Sequence, residues 1–288
     1  SSRFDSRRPR LFQHIFQIRV ARRTIPMIPL AVLGLLGARV AFAATLSPVS
    51  FGPKSDIPGL IGGAAPSSPA VIVIQEWWGI TEQIKEHALR IAGEGYRVLI
   101  PDIYKGKVGV DTEEASHLMS TLDFPAAVKE IAAAASFLKA EGAPKVGVVG
   151  FCMGGALTMG SLAASDDLIC GAPFYGVNFG LFDTKALAGK PVQGHFGRLD
   201  SMAGFSDPAT ALKLEADLKA ANNANAEVFV YDDVGHAFMN DKPAPFESFE
   251  ARQESMNFPP YKPATAALAW SRLIDFFGKH LKSAKVEL

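Results

Sequence analysis

The chain has few cysteines and no net charge, and both shortages exclude whole classes of protein. Two cysteines in 288 residues are too few for a disulfide framework. The 29 basic and 29 acidic residues balance to zero, so the overall charge does not indicate nucleic acid or an acidic partner. No histidine or cysteine cluster has metal-ligand spacing. We therefore expect no metal, no cofactor and no nucleic acid.

Long apolar runs are also lacking. The best candidate, residues 25–38, is shorter than the roughly 20 residues of a membrane-spanning helix and contains two prolines. We therefore expect no membrane span.

The apolar run lies in an N-terminal arm, residues 1–45, that is rich in arginine and has Asp5 as its one acid. Arginine and serine without acids are typical of an organelle transit peptide, and an apolar stretch followed by Ala41-Phe42-Ala43 is typical of an export signal. We expect a plastid-type targeting segment, with the thylakoid lumen as a destination. A disordered tail on a cytoplasmic protein is the alternative.

From residue 46 onward, apolar runs alternate with helical patterns, as expected of one domain over residues 46–288. This alternation predicts an α/β fold, with a mostly parallel central sheet and helices on both faces. Residues 46–69 fit short edge strands or loop. Strands are predicted over 70–75, 96–100, 145–149, 168–174, 191–196 and 226–231, and helices over 82–93, 125–140, 153–164, 207–221 and 263–281.

The segment Gly150-Phe151-Cys152-Met153-Gly154-Gly155 directly follows one of these strands. It has the G-x-nucleophile-x-G pattern of a strand-to-helix turn, with cysteine in place of serine. The glycines are needed because a Cβ beside the nucleophile would clash with the neighbouring strand or helix. A helix N-terminus and a nearby imidazole both favour the thiolate. We therefore predict that Cys152 attacks a carbonyl.

Two further reactive residues follow later strands. Asp200 lies just beyond 191–196, and His236 lies just beyond 226–231. The order Cys152, Asp200, His236 is that of an α/β-hydrolase, with His236 as the base and Asp200 as the acid that orients it. Asp232 and Asp233 are rivals for the acid, but they lie very near His236 in sequence.

The oxyanion needs two backbone N–H donors in such a fold. One belongs to the residue after the nucleophile, Met153, and the other to Trp77, which follows the first long strand. Among the remaining candidates, His195 and Cys170 fit the core, whereas His87, His117 and His280 fit a helical surface.

Five motifs together resemble the dienelactone hydrolase (carboxymethylenebutenolidase) family over about residues 47–282. They are Gln75-Glu76-Trp77-Trp78-Gly79, Pro101-Asp102-Ile103-Tyr104, Gly150-Phe151-Cys152-Met153-Gly154-Gly155, Gly197-Arg198-Leu199-Asp200 and Gly235-His236-Ala237-Phe238. The resemblance implies an α/β-hydrolase with a triad of Cys152, Asp200 and His236. It also implies that Glu76 holds the resting thiol away from the histidine until a substrate displaces it.

The chain departs from the family where arginines would hold a substrate carboxylate. It has Lys105-Gly106-Lys107 after the second motif and Asn240 after the histidine, and lysine lacks the bidentate fork of arginine. We assign substrate contacts to Lys105 and to the aromatic residues Trp78, Tyr104 and Phe238.

The predicted activity is hydrolysis of a small-molecule lactone or ester without a cofactor. The alternatives are a non-catalytic ligand-binding or signalling protein on a hydrolase fold, a thioesterase, or a redox role for Cys152. We expect a monomer, with a dimer as the alternative.

Overall fold

The computed structural model describes residues 45–282. The predicted targeting segment, apart from residue 45, lies outside the described residues. The strands are β1 Leu46–Phe51, β2 Ile57–Gly63, β3 Ala70–Ile74, β4 Arg97–Pro101, β5 Val146–Phe151, β6 Leu168–Phe174, β7 Val192–Gly197 and β8 Ala226–Tyr231. The helices are α1 Glu82–Gly93, α2 Thr112–Ser120, α3 Phe124–Ala140, α4 Met153–Ala164, α5 Pro208–Ala220, α6 Phe249–Met256 and α7 Pro263–Leu281.

These strands form one sheet of eight, in the order β1-β2-β4-β3-β5-β6-β7-β8. β2 pairs antiparallel with β1 and with β4, and every other neighbouring pair is parallel. The predicted α/β fold with a mostly parallel sheet is therefore confirmed. Because β5 lies near the middle of the sheet, residues that follow it reach the centre of the carboxyl edge.

Both faces of the sheet are covered by helices, which is why its central strands are continuously apolar. In β3, Ile72 and Ile74 face a core built with α3, α4 and α5, while Val71 and Val73 face a core built with α1 and α7. All five residues of β3 are fully buried. The rigid centre thus positions the loops at the carboxyl ends of the strands.

Side-chain caps explain where several helices begin. The Asp123 carboxylate accepts the N–H of Ala126 at 3.0 Å at the start of α3, and Asp111 accepts the N–H of Glu114 at 2.9 Å at the start of α2. α2 and α6 were not predicted. Of the two strands within residues 46–69, β1 is at the edge of the sheet, as predicted, whereas β2 is paired on both sides. No helix within residues 45–282 is long and apolar enough to cross a membrane.

Candidate active site

Cys152 occupies the turn between β5 and α4 in a strained backbone conformation. Its φ is 55° and its ψ is −117°, a region that costs energy for any residue with a Cβ. Two hydrogen bonds hold the turn: the Cys152 N–H donates to the carbonyl of Phe174 at 3.0 Å, and the Cys152 carbonyl accepts from Gly155 at 2.9 Å. The thiol is thereby fixed at the N-terminus of α4.

The glycines of this turn are required by close backbone contacts. A Cβ on Gly150 would lie 2.1 Å from the carbonyl oxygen of Gly154, and one on Gly154 would lie 2.5 Å from that of Gln75. Just beyond the end of β6, a Cβ on Gly176 would lie 2.0 Å from the carbonyl oxygen of Cys152 itself. Side chains at these positions would displace Cys152.

Asp200 and His236 form a buried pair beside the cysteine. Asp200 Oδ2 and His236 Nδ1 are 2.8 Å apart, and the two side chains are 0% and 2% exposed. The other carboxylate oxygen, Oδ1, accepts the N–H of Met202 at 3.0 Å, and Ser206 Oγ lies 3.0 Å from His236 Nδ1. Nε2 of His236 has no hydrogen-bond partner within residues 45–282, so no other described residue engages it.

The rival acids are engaged elsewhere. Asp232 accepts a hydrogen bond from Arg198 Nε at 2.6 Å, and Asp233 accepts one from the Thr265 hydroxyl at 2.8 Å. Of the three candidate acids, Asp200 is therefore the one bonded to His236.

Burial lowers the pKa of His236, but the Cys152 sulfur and the Asp200 carboxylate outweigh that effect, and the net direction is upward. A raised pKa means that the site stabilises the protonated imidazole. The arrangement therefore suits a histidine that carries a proton during part of a reaction.

A cavity of about 140 Å³ contains both the thiol and the imidazole, and its walls are almost entirely apolar. Three methionines give it adaptable walls. Neither lysine nor arginine is among its lining residues, which are Trp77, Met119, Cys152, Met202, Phe205, His236, Met256 and Phe258.

Glu76 is a buried acid next to this centre, 3% exposed. Its Oε1 accepts the Tyr175 hydroxyl at 3.3 Å, and its Oε2 accepts the Asn240 amide at 2.9 Å. Burial raises the pKa of Glu76, against the opposing effects of Asn240, His236 and Arg252. Asn240, which occupies a position where the resemblance predicts an arginine, therefore donates its side-chain amide to Glu76.

The predicted oxyanion donors are both near Cys152: Trp77 lines the same cavity, and Met153 directly follows it in the chain. Met153 is the first residue of α4, where helix N–H groups lack intrahelical partners. Trp77 is the second residue of a turn closed by the Gly79 N–H donating to the Glu76 carbonyl at 3.1 Å, a bond that leaves the Trp77 N–H unused. Both positions suit the predicted role, which stays a prediction.

The four predicted substrate contacts lie outside the walls of the Cys152 cavity. Trp78 lines a second cavity, and the Tyr104 hydroxyl donates to the Met153 sulfur at 3.2 Å. Lys105 pairs with Glu130. Phe238 is buried, with its ring centroid 5.3 Å from that of Tyr175. Contact of these residues with a substrate stays a prediction.

Sequence reasoning missed Tyr175, although a usable signal existed. Tyr175 directly follows β6, the neighbour of β5, so its position at the carboxyl edge could have been inferred. By contrast, Met119, Met256 and Phe258 lie on or next to short helices with no strong apolar pattern.

Three of the predictions for single residues are confirmed and one is wrong. His195 and Cys170 are fully buried, as predicted, and His117 is exposed on α2, as predicted. His87, expected on the surface, is 4% exposed and has its ring centroid 4.6 Å from that of Phe151. It faces the sheet because it shares the apolar stripe of α1 with Ile84 and Ile91.

Residues 57–281 match the model of the dienelactone hydrolase family. The chain belongs to this family. Protein usf of Aquifex pyrophilus is 31% identical over 225 residues, which cover 74% of this chain and 89% of that protein.

Solved structures agree on the fold. A dienelactone hydrolase-like promiscuous phosphotriesterase from metagenomic libraries has a TM-score of 0.67 at 20% identity, over 83% of this chain and 99% of that one. A cold-adapted esterase from an Arctic intertidal metagenomic library has a TM-score of 0.56 at 18% identity, over 84% and 96%. Membership of the dienelactone hydrolase family supports a carboxylic ester hydrolase.

Proposed function

We propose that this member of the dienelactone hydrolase family hydrolyses a small, uncharged lactone or carboxylic ester through an acyl-thioester on Cys152. The observation that carries the proposal is the buried Asp200–His236 pair, 2.8 Å apart, which shares a cavity with a thiol on a strained turn. Nucleophile, base and orienting acid are thereby supplied in one place.

In the first half of the reaction, His236 Nε2 takes the proton of Cys152 Sγ, and the thiolate adds to the substrate carbonyl carbon. The N–H groups of Trp77 and Met153 stabilise the oxyanion. As the tetrahedral intermediate collapses, the C–O bond breaks and the imidazolium donates its proton to the leaving alkoxide. A lactone opens at this step, and its hydroxyl stays attached to the acyl group.

In the second half, His236 removes a proton from water while the water oxygen adds to the thioester carbonyl carbon. Collapse breaks the C–S bond and releases the carboxylic acid. The imidazolium then returns a proton to the sulfur, and the starting thiol and neutral imidazole are restored. No cofactor enters this scheme, and water is the one co-reactant.

The composition of the cavity walls favours a substrate whose acyl group is uncharged. A carboxylate buried without a cationic partner is strongly disfavoured, and the lining residues include no lysine or arginine. Lys105, the predicted carboxylate partner, is paired with Glu130. We therefore place dienelactone, which carries a carboxylate, outside the preferred substrates, and short neutral esters within them.

The test is hydrolysis of p-nitrophenyl acetate by the parent protein, Cys152→Ala and a matched control, Cys170→Ala. Cys170 is also a free cysteine, but burial raises the pKa of its thiol, and it lies in β6 away from the turn. We expect Cys152→Ala to lose activity and Cys170→Ala to retain it. Full activity in Cys152→Ala would refute the mechanism. Ligand binding without turnover of any ester would instead support a binding or signalling protein.

Two wider expectations stay part of the proposal. Residues 1–45 target the protein to an organelle or for export, which a fluorescent fusion of this segment tests by its location. The protein acts as a monomer, which sedimentation of the full chain tests. A diffuse cytoplasmic signal would contradict the targeting role, and the mass of a dimer would contradict the monomer.

A further inference from the structure

A cavity of about 380 Å³ adjoins the Cys152 cavity on the side of α2 and α4, and we call it the α2 cavity. Its walls include Met119 of α2 and both Met153 and Ala156 of α4. Met119 and Phe205 line the Cys152 cavity as well. The two cavities therefore meet at these two side chains.

The α2 cavity offers hydrocarbon surface rather than charge. None of the residues that line it within the described part of the chain is charged. Its two polar side chains are hydrogen-bonded locally. The Ser120 hydroxyl donates to the carbonyl of His117 at 3.0 Å, and the Asn178 side-chain oxygen accepts the N–H of Gly180 at 2.9 Å. The lining therefore suits a hydrocarbon chain better than a charged group.

The volumes of the two cavities limit what each can hold. Because liquid water occupies about 30 Å³ per molecule, the 140 Å³ of the Cys152 cavity hold on the order of five water-sized groups. The 380 Å³ of the α2 cavity hold on the order of twelve. An acetyl group fits the Cys152 cavity alone, whereas a longer acyl chain has to extend into an adjoining cavity. Met119, at the boundary, is unbranched and can adapt to such a chain.

The position of His236 indicates which portion of an ester enters the α2 cavity. His236 lines the Cys152 cavity and not the α2 cavity. In the proposed mechanism its Nε2 gives a proton to the leaving oxygen, so the alcohol portion has to lie beside the imidazole. Phe258 forms the wall there, with its ring centroid 4.7 Å from that of His236. The acyl chain extends from the other side of the carbonyl carbon, towards Met153 and the α2 cavity.

We propose that the α2 cavity binds the hydrocarbon chain of the acyl group that Cys152 carries, which makes neutral esters of medium-chain acids the preferred substrate class. This assignment deepens the proposed function and rests on it for the reaction. The cavity itself should accept a chain joined to the Cys152 sulfur by any bond, so the site and the reaction can be tested separately.

The first experiment compares kcat/KM of the full chain for p-nitrophenyl hexanoate and p-nitrophenyl acetate. Each buried methylene contributes about fourfold, so we expect the hexanoate to be favoured by at least about tenfold. Ser120→Trp, which enlarges a side chain of the cavity wall, should reduce this preference to below about threefold.

Ser116→Trp is the matched control for Ser120→Trp. Both serines are exposed on α2, and Ser116 lies one turn earlier and does not line the cavity. Because side chains lean towards the N-terminus of their helix, the tryptophan of this control leans away from the cavity. Ser116→Trp should therefore keep the preference for the hexanoate. Circular dichroism checks that both variants fold.

Two isomeric esters decide which portion of the substrate carries the chain. Ethyl hexanoate has it on the acid and hexyl acetate has it on the alcohol, so the two substrates have the same composition. We expect faster hydrolysis of ethyl hexanoate, and Ser120→Trp should remove the difference. A preference for hexyl acetate that Ser120→Trp abolishes would overturn the assignment to the acyl chain.

A third measurement does not depend on hydrolysis, because it follows the reaction of Cys152 with methyl and hexyl methanethiosulfonate by mass spectrometry. The thiolate forms a disulfide with the sulfur that bears the alkyl group, and methanesulfinate leaves with the electrons of the broken S–S bond. Relative to the same reagents with N-acetylcysteine, the hexyl reagent should react at least about tenfold faster than the methyl reagent. Ser120→Trp should remove this selectivity, and Ser116→Trp should keep it.

The outcomes separate the chain site from the proposed hydrolysis. Hexyl selectivity that Ser120→Trp removes, without turnover of any ester, would refute the hydrolysis and support the chain site. Ester turnover without a chain-length preference in either series would overturn the chain site alone. An equal loss of preference in Ser120→Trp and Ser116→Trp would also overturn it.

Discussion

Asp200→Asn tests the proposed mechanism because it changes charge and hydrogen-bond direction at nearly constant shape. In the parent protein, Oδ1 accepts the Met202 N–H and Oδ2 pairs with His236 Nδ1. In the variant, the amide oxygen should stay at Met202, since an amide nitrogen there would face another donor. The NH₂ group then faces Nδ1. The imidazole must carry its proton on Nε2, where it cannot accept one from the thiol.

The expected loss follows from this tautomer. When the nucleophile is a hydroxyl, the wrong histidine tautomer lowers kcat by about 10⁴. A thiol, with an ordinary pKa of about 8.5, ionises far more readily than a hydroxyl and depends less on its base. We therefore expect kcat/KM for p-nitrophenyl acetate to fall by about 10²–10³, or about 3–4 kcal/mol of transition-state stabilisation.

A second readout is the rate at which iodoacetamide alkylates Cys152. The Asp200 carboxylate helps to raise the pKa of His236. Without it, the imidazolium should lose its proton at a lower pH and therefore stabilise the thiolate less. The alkylation profile should then shift to higher pH. Asp233→Asn is the matched control, because Asp233 bonds to Thr265 on the surface. Activity in Asp200→Asn within about threefold of the parent would refute the assigned triad.

Four further substitutions, one of them a control, test other parts of the structure. Glu76→Gln should become more stable relative to the parent, measured as Tm, as pH rises above 4.5. Because the pKa of Glu76 is raised in the folded protein, the unfolded chain loses this proton first, and the parent loses free energy of unfolding as pH rises. A constant difference in Tm from pH 4 to 8 would contradict the buried acid. Gly176→Ala should lose about 2 kcal/mol or more on urea unfolding and most activity, because its Cβ would meet the Cys152 carbonyl. Gly278→Ala, whose Cβ meets nothing within 4 Å, should instead gain about 0.5–1 kcal/mol; equal effects would contradict this geometry. Burial lowers the pKa of His87 from 6.5 to about 4, so the parent should lose about 3 kcal/mol of its free energy of unfolding as pH falls between those values. His87→Phe, which has no imidazole to protonate, should retain this stability. Parallel urea midpoints of the two proteins across that range would exclude the effect.

The clustering of the three proposed catalytic residues was predictable because a parallel sheet converts sequence order into spatial proximity. Apolar runs marked the strands, and the residue types that follow β5, β7 and β8 then indicated Cys152, Asp200 and His236. The glycines around Cys152 marked the turn because few other residues fit there. These signals are local, and each was readable from fewer than about ten residues.

The cavity walls were not predictable for the opposite reason. They combine side chains from separated segments, such as Met119 on α2 and Met256 on α6, and α6 buries one residue, Arg252. A helix without an apolar stripe gives no periodic signal. The burial of Glu76 among Tyr175 and Asn240 likewise depends on how loops pack, and no local pattern encodes that.

The position of β8 links the proposed catalysis to the margin of the sheet. Cys152 follows β5, which has a strand on each side, whereas His236 follows β8, which pairs with β7 alone in the described sheet. Most residues of β8 are half-buried, so this strand should open locally at a lower free-energy cost than the centre. In rising urea, turnover should therefore vanish while the strands around the nucleophile remain protected from hydrogen exchange.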